Sequence, residues 1–156
     1  MEALESRGIP QDRLIFRGSL PLDKHLELLA QADIALDTFP YNGVTTTYEC
    51  LWMGVPVITL TGDNPAGRMG FAILQKIGLN ALAASTPEQF VSLALSLAGD
   101  HRRLDGLRHE LRDRMRLSDL AQPLKTTRGI EKTYRHLWSN WCSTQNSKEK
   151  GPANNS

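Results

Sequence analysis

The chain has 156 residues, of which 40% are hydrophobic and 22% are charged, a composition typical of one globular domain with a sizeable core. Its 18 Lys and Arg residues balance 17 Asp and Glu residues, so it lacks the basic excess of a dedicated nucleic-acid-binding protein. The longest apolar run, at 55–60, is too short to cross a bilayer, and the polar N-terminus lacks a secretory pattern. We therefore expect a cytoplasmic protein that binds neither nucleic acid nor membrane, with free thiols at its two cysteines.

Short apolar runs alternate with segments of helical periodicity along the chain. Strands are predicted at 13–16, 32–36, 55–60 and 80–83, and helices at 21–31, 45–53, 65–76, 87–97, 104–115 and 130–141. This alternation predicts βαβ units and a parallel sheet, which is an α/β fold. We expect residues 1–12 to be a linker or the end of an upstream helix, residues 13–142 to form the folded domain, and residues 143–156 to be a disordered tail.

The loop after the second predicted strand has the features of a phosphate site. Ligands of open α/β sheets bind beyond the C-terminal ends of the strands, which is where this loop begins. The helix start that follows presents unpaired N–H groups and a partial positive charge, and Gly43 allows close approach of the backbone. The hydroxyls at 45–47 add neutral donors, so a diphosphate could be held without Lys or metal. A polar loop with a hydroxyl N-cap explains the same residues equally well.

Three side chains near this loop have two interpretations each. Glu49 suits a vicinal diol such as ribose, because a carboxylate accepts two hydrogen bonds, but its spacing from Thr46 also fits a capping box. On spacing alone the cap is somewhat favoured. Asp37, at the end of a predicted strand, is interpreted as a carboxylate that orients the loop by accepting backbone N–H groups. His25, on a predicted helix, would more often be an ordinary surface residue.

The residues from 49 to 58 resemble the donor-site signature of GT-B glycosyltransferases, which is a Glu, a short helix, Gly-x-Pro and an apolar strand. The wider run from 37 to 49 is similar to the catalytic region of the O-GlcNAc transferase and SPINDLY family, including bacterial relatives with tetratricopeptide repeats. The similarity extends from about Arg13 to Cys142 and includes the closing run at 134–138. It implies a Rossmann-like parallel sheet with flanking helices, as the C-terminal, donor-binding half of a GT-B fold.

The resemblance also implies a reaction and a role for individual residues. The reaction is inverting transfer of GlcNAc or fucose from a nucleoside diphosphate sugar to Ser or Thr hydroxyls of proteins, without cofactor or metal. Arg68 either braces its loop or approaches the donor. The ribose and base are expected near Glu49 and His25, and the donor diphosphate on Gly43, Val44, Thr45, Thr46 and Thr47.

Three positions differ from the O-GlcNAc transferases, which have His, Asp and Lys where this chain has Val44, Glu49 and Leu22. SPINDLY sequences, which use GDP-fucose, combine a Thr-rich loop with Glu and fit better, so both UDP-GlcNAc and GDP-fucose stay open as donors. A GT-B site lies between two halves. In this family the other half, a Lys that neutralises the diphosphate and the repeats that recruit acceptors precede this region, so we expect the catalytic base upstream and an isolated chain that is inactive.

Two alternatives belong to other functional classes. In a receiver-like signalling domain, Asp37 would be the phosphoacceptor and Thr59 the switch hydroxyl, but no acidic pair follows the first predicted strand and no Lys ends a later one. In a non-catalytic partner-binding module, the C-terminal helices would expose Trp138 and Trp141. The same Trp pair would equally suit a face that docks the missing half.

Overall fold

The centre of the molecule is a parallel sheet of three short strands. A computed structural model describes residues 2–149. The strands are β1 (Ala35–Asp37), β2 (Val57–Leu60) and β3 (Ala83–Ala84), in the order β1-β2-β3, with both neighbouring pairs parallel. All four residues of β2 are buried, as expected for a central strand covered on both faces. The predicted α/β class with a parallel sheet is confirmed.

Helices surround the sheet, and most of them begin and end where local signals predict. Gly54 and Gly78 follow α3 and α4 with φ of +81° and +72°, a conformation that favours glycine. At Gly54 an added Cβ would also lie 2.7 Å from the carbonyl oxygen of Arg108. The helices are α1 (Glu2–Glu5), α2 (Leu22–Leu29), α3 (Thr45–Trp52), α4 (Met69–Lys76), α5 (Pro87–Ala98), α6 (His101–Leu117) and α7 (Pro123–Glu149).

The core lies between the sheet and helices α3 to α6. Leu107, Leu111 and Met115 form the buried face of α6, at the spacing that an amphipathic helix requires. Each fully buried Leu or Ile side chain contributes about 1.5–3 kcal/mol to folding. This packing fixes where α3 and the end of β1 lie. The largest fully buried apolar side chains are Leu51, Ile58, Leu74, Leu82, Leu97, Leu111, Val55 and Val57.

The first predicted strand, at 13–16, is absent. Gln11–Arg13 forms a 3-10 turn, and the residues that follow it make no strand pairing within residues 2–149. Ile15 and Phe16 are 73% and 60% exposed. A strand needs a neighbour for its backbone groups, and here the apolar run finds none in the described part of the chain. The strand predicted at 80–83 is mostly the 3-10 turn Asn80–Leu82, followed by the two residues of β3.

The last helix is longer than predicted and carries an exposed apolar stripe. It continues beyond Cys142 to Glu149, so the residues at 143–149 of the predicted tail are helical, and residues 150–156 lie outside the described residues. Trp138 and Trp141 are 64% and 54% exposed, and their rings stack with centroids 5.2 Å apart. Ile130, Tyr134 and Leu137 are also exposed, on the same face. Among the described helices, none is long and apolar enough to span a membrane.

Candidate functional site

The loop between β1 and α3 is held at its base by Asp37. This carboxylate is buried, and its Oδ1 accepts the Gly43 N–H at 2.7 Å while its Oδ2 accepts the Thr59 hydroxyl at 2.8 Å. The expected role of Asp37 in orienting the loop is therefore confirmed. The same bond occupies the Gly43 N–H, so this amide is not available to a ligand.

Asn42 is a second anchor of the loop that the sequence analysis missed. It is fully buried, its Oδ1 accepts the Gly70 N–H at 3.3 Å, and its own N–H donates to the Ala66 carbonyl at 3.2 Å. Asn42 therefore ties the loop to the start of α4, 28 residues further along the chain. The Asn-Gly pair at 42–43 is a local turn signal, but it contains no information about a partner this distant.

The N-terminus of α3 is open rather than capped. The N-cap residue is Val44, which provides no side-chain hydrogen bond, so the predicted hydroxyl cap is absent. Thr47 is buried, and its hydroxyl donates to the Gly43 carbonyl. Thr45 and Thr46 are exposed, and within residues 2–149 their hydroxyls and the first N–H groups of the helix have no protein partner. These groups can donate to an anion.

A cavity of about 290 Å³ lies against this helix start, at the C-terminal end of β1. Asp37, Thr38, Tyr41, Gly43 and Thr46 contribute to its lining. It runs along β1 from Ala35 and reaches the C-terminal end of that strand, the edge of the sheet where ligands of open α/β folds bind. Thr46 therefore borders a space that can hold a ligand, and Thr45 lies next to it in the chain.

Glu49 on α3 contacts His25 on α2. The His25 Nε2 and the Glu49 Oε2 lie 3.1 Å apart, and the two side chains are 37% and 23% exposed. The carboxylate thus bonds to a residue of another helix rather than closing a capping box with Thr46. An apolar cavity of about 390 Å³ adjoins Glu49 and is lined in part by Leu22, Leu26 and Trp52. The two side chains expected near the ribose and base are therefore adjacent, beside a space large enough for a ligand.

Arg68 braces the loop that follows β2. Its Nη1 donates to the Gly62 carbonyl at 3.3 Å, and its guanidinium lies 5.9 Å from the ring centroid of Phe71. The Gly62 N–H in turn donates to the Gly67 carbonyl at 2.7 Å. Of the two predicted roles, the brace is the one with contacts in the structure, and contact with a donor stays a prediction.

The family follows from comparison with known proteins. A family model described as "Glycosyl transferase family 41" matches residues 1–128. This chain belongs to glycosyl transferase family 41. The resemblance identified from the Thr-rich loop and the Gly-x-Pro strand is therefore confirmed.

Two plant relatives are named probable UDP-N-acetylglucosamine–peptide N-acetylglucosaminyltransferase SPINDLY. The Hordeum vulgare protein is 41% identical over 143 residues, which are 91% of this chain and 15% of the relative. The protein from Oryza sativa subsp. japonica is 44% identical over 118 residues, which are 76% of this chain and 13% of the relative. The family 41 chain thus spans about one-seventh of the length of these relatives.

A solved structure has the same fold. It is a mutant of the Thermobaculum terrenum O-GlcNAc transferase that matches 92% of this chain with a TM-score of 0.86 and 39% identity. The matched region is 28% of that chain. The open parallel sheet with flanking helices is therefore shared with a structure of an O-GlcNAc transferase.

The receiver-like alternative does not fit the family 41 chain. Asp37 is buried with both oxygens bonded, and Thr59 is fully buried beneath it, so neither group is free for phosphoryl transfer.

Burial, followed by the charges of Glu49 and Asp37, raises the pKa of the Cys50 thiol. This thiol stays protonated at neutral pH and is a poor nucleophile. Within residues 2–149, no cluster of three His, Cys, Asp or Glu side chains could hold a metal ion.

Proposed function

We propose that this chain is the donor-binding half of a protein O-glycosyltransferase that acts from a nucleoside diphosphate sugar. The observation that carries the proposal is the open N-terminus of α3, where Thr45 and Thr46 expose unpaired donors beside a cavity at the end of β1. Membership in glycosyl transferase family 41 supports the same reaction class.

The donor diphosphate is expected at this helix start. The backbone N–H groups at 45–47 and the hydroxyls of Thr45 and Thr46 are neutral donors that point to one end of α3, and the helix dipole adds a partial positive charge. Val44 would contact the phosphate through its backbone only. As the bond to the sugar breaks, negative charge develops on the diphosphate. Fixed donors at that point stabilise the transition state and position the donor for attack by a Ser or Thr hydroxyl.

The nucleoside is expected beside Glu49 and His25. Glu49 is partly exposed, and its contact with His25 leaves acceptor capacity on the carboxylate for a ribose diol. The relatives are named for UDP-N-acetylglucosamine, whereas the Thr-rich loop followed by Glu49 fits SPINDLY sequences and GDP-fucose better, and Leu22 weakens the case for UDP. We therefore propose that the donor is one of these two nucleotide sugars.

Several partners complete the proposal. The exposed stripe of α7 around Trp138 and Trp141 suits docking of the other catalytic half of such an enzyme, and the acceptors are proteins.

Both cysteines are free thiols, which supports a cytoplasmic location. We propose donor binding without metal, because the donors at the helix start are neutral groups that need no bridging cation.

Calorimetric titration with UDP and GDP, side by side, tests the proposal. The double variant Thr45→Ala/Thr46→Ala should weaken binding of the preferred nucleotide by about 1 kcal/mol per lost hydrogen bond. Chelation of divalent metals should leave the affinity unchanged. The matched control is Thr127→Ala/Thr133→Ala on α7, where each hydroxyl donates only to its own helix. Equal affinity of the site variant and the control would refute the diphosphate site.

A further inference from the structure

We propose that Asp37 is a positioning residue for the nucleotide: through the Gly43 peptide it holds the turn that presents the N-terminus of α3 to the diphosphate. This inference rests on the function proposed above and assigns the part of the site that sets its geometry. Asp37 itself does not touch the ligand in this assignment.

The carboxylate of Asp37 links the loop to the central strand of the sheet. One oxygen accepts the Gly43 N–H at 2.7 Å and the other accepts the hydroxyl of Thr59 at 2.8 Å. Thr59 lies on the central strand β2 and is fully buried. A carboxylate held at both oxygens, with one partner in the sheet, transmits the position of the sheet to the loop.

Helix α4 closes the space on the other side of this carboxylate. A Cβ added at Gly70 would lie 2.4 Å from both the Asp37 Oδ2 and the Thr59 Oγ1. The Gly70 N–H also donates to the buried Asn42, one residue before Gly43. The side chain of Asp37 is therefore confined, and the loop is tied to the sheet and to α4 at adjacent residues.

Both backbone hydrogen-bonding groups of Gly43 are occupied. Its N–H donates to Asp37 and its carbonyl accepts the hydroxyl of Thr47, inside the first turn of α3. The next donors along the chain are the backbone N–H of Val44 and the N–H and hydroxyl groups of Thr45 and Thr46. Because Asp37 accepts from two neutral donors, we expect its geometry as an acceptor, rather than its negative charge, to matter for an anionic ligand.

The test compares nucleoside mono- and diphosphates by calorimetry on the full chain. The readout is the ratio of the Kd of the monophosphate to the Kd of the diphosphate, in the uridine and guanosine series. Asp37→Ala should lower this ratio by about tenfold, the effect of misplacing one or two hydrogen bonds. Asp37→Asn keeps an oxygen that accepts the Gly43 N–H, so it should retain the wild-type ratio. A merely structural role would lower the melting temperature and leave the ratio unchanged.

Two further variants keep the result decisive. Thr59→Val frees one oxygen of Asp37 without removing the contact with Gly43, and it should lower the ratio by less than Asp37→Ala does. Asp33→Ala is the control, because Asp33 is an exposed residue before β1, 3.5 Å from Arg108. If the ratio stays at its wild-type value in both Asp37→Ala and Thr59→Val, this proposal is overturned and the proposed function is not. A wild-type chain that does not discriminate mono- from diphosphate overturns the proposed function as well.

Discussion

For Glu49 the sequence leaves two roles open, a helix cap and a ribose contact, and the structure bears on the choice. Its spacing from Thr46 favours a helix cap, yet its carboxylate contacts His25, 24 residues earlier in the chain. A carboxylate used as a cap would be directed at the helix backbone. One held at 3.1 Å by an imidazole of α2 instead lies partly exposed beside the apolar cavity that Leu22 and Trp52 help to line. The geometry argues against the capping box, and contact with a ribose stays a prediction.

Glu49→Gln should lower the affinity for a ribonucleotide by about tenfold, because hydrogen bonds to a charged acceptor are worth about 1.5–3 kcal/mol and a neutral amide accepts more weakly. The affinity for the matching deoxynucleotide should fall less, since it lacks the hydroxyl that the carboxylate accepts. Calorimetric titration of both nucleotides with both proteins measures the difference.

The control for this substitution is Glu27→Gln. Glu27 is an exposed residue of α2 that pairs with Lys24 at 2.8 Å, so its neutralisation changes the surface charge by the same amount without touching the site. This variant should bind both nucleotides like the wild type. Equal losses for the ribo and deoxy ligands in Glu49→Gln would assign Glu49 a structural role.

Helix starts in this chain differ in whether a side chain caps them. Helix α5 begins with Thr86, whose side chain accepts the Gln89 N–H, and α6 begins with Asp100, which accepts the Arg103 N–H. Helix α3 begins with Val44 and has no such bond. An uncapped start costs stability unless water or a ligand satisfies its N–H groups. Helices α2 and α4 also begin without a side-chain cap, but the start of α3 combines exposed Thr hydroxyls with the cavity at β1.

Thr86→Ala should lower the free energy of unfolding by about 1 kcal/mol, because it removes a side-chain cap. Thr45→Ala should change it by only a few tenths of a kcal/mol, since an exposed substitution that breaks no protein hydrogen bond has a small effect. Urea denaturation of each variant gives both values. Ser92→Ala, at an exposed position inside α5, is the control and should match the wild type. A loss for Thr45→Ala as large as that for Thr86→Ala would mean that this hydroxyl caps α3.

At the scale of the whole molecule, α7 presents an exposed apolar surface. Its stripe of Ile130, Tyr134, Leu137 and the stacked Trp pair is exposed along one face. Apolar patches of this kind mark interaction surfaces. The curated relatives are about seven times longer than the region they share with this chain, so the proposed partner for the stripe is another part of such a protein.

The 156-residue chain alone should bind a nucleotide weakly and transfer no sugar. Transfer needs a base at the acceptor and neutralisation of the leaving diphosphate, and the site described here provides only neutral donors. The measurement is transfer of labelled sugar from UDP-GlcNAc or GDP-fucose to the proteins of an extract, with release of UDP or GDP and with a longer family 41 enzyme as positive control. Turnover by the isolated chain would contradict the assignment of this region as a donor-binding half.

Much of the fold could be predicted because its signals are local. The apolar run at 55–60 predicts a buried strand, Gly54 and Gly78 predict helix ends, and Thr86 followed by Pro87 predicts a helix start; the structure contains all of these. Each signal acts within a few residues, through backbone conformation, capping or the period of apolar side chains. The same holds for Asp37, whose contact with Gly43 spans only six residues.

Local sequence alone therefore determined the α/β class, the helix ends and the loop that begins beyond β1. The tertiary structure decided which of its polar groups are free. Asn42 bonds to Gly70, Glu49 bonds to His25, and the apolar run at 13–16 forms no strand without a neighbour in the described chain. These outcomes depend on residues far apart in sequence. Folding brings such residues together only when the core packs, and a hydrogen-bonding group takes whichever partner that packing places within reach.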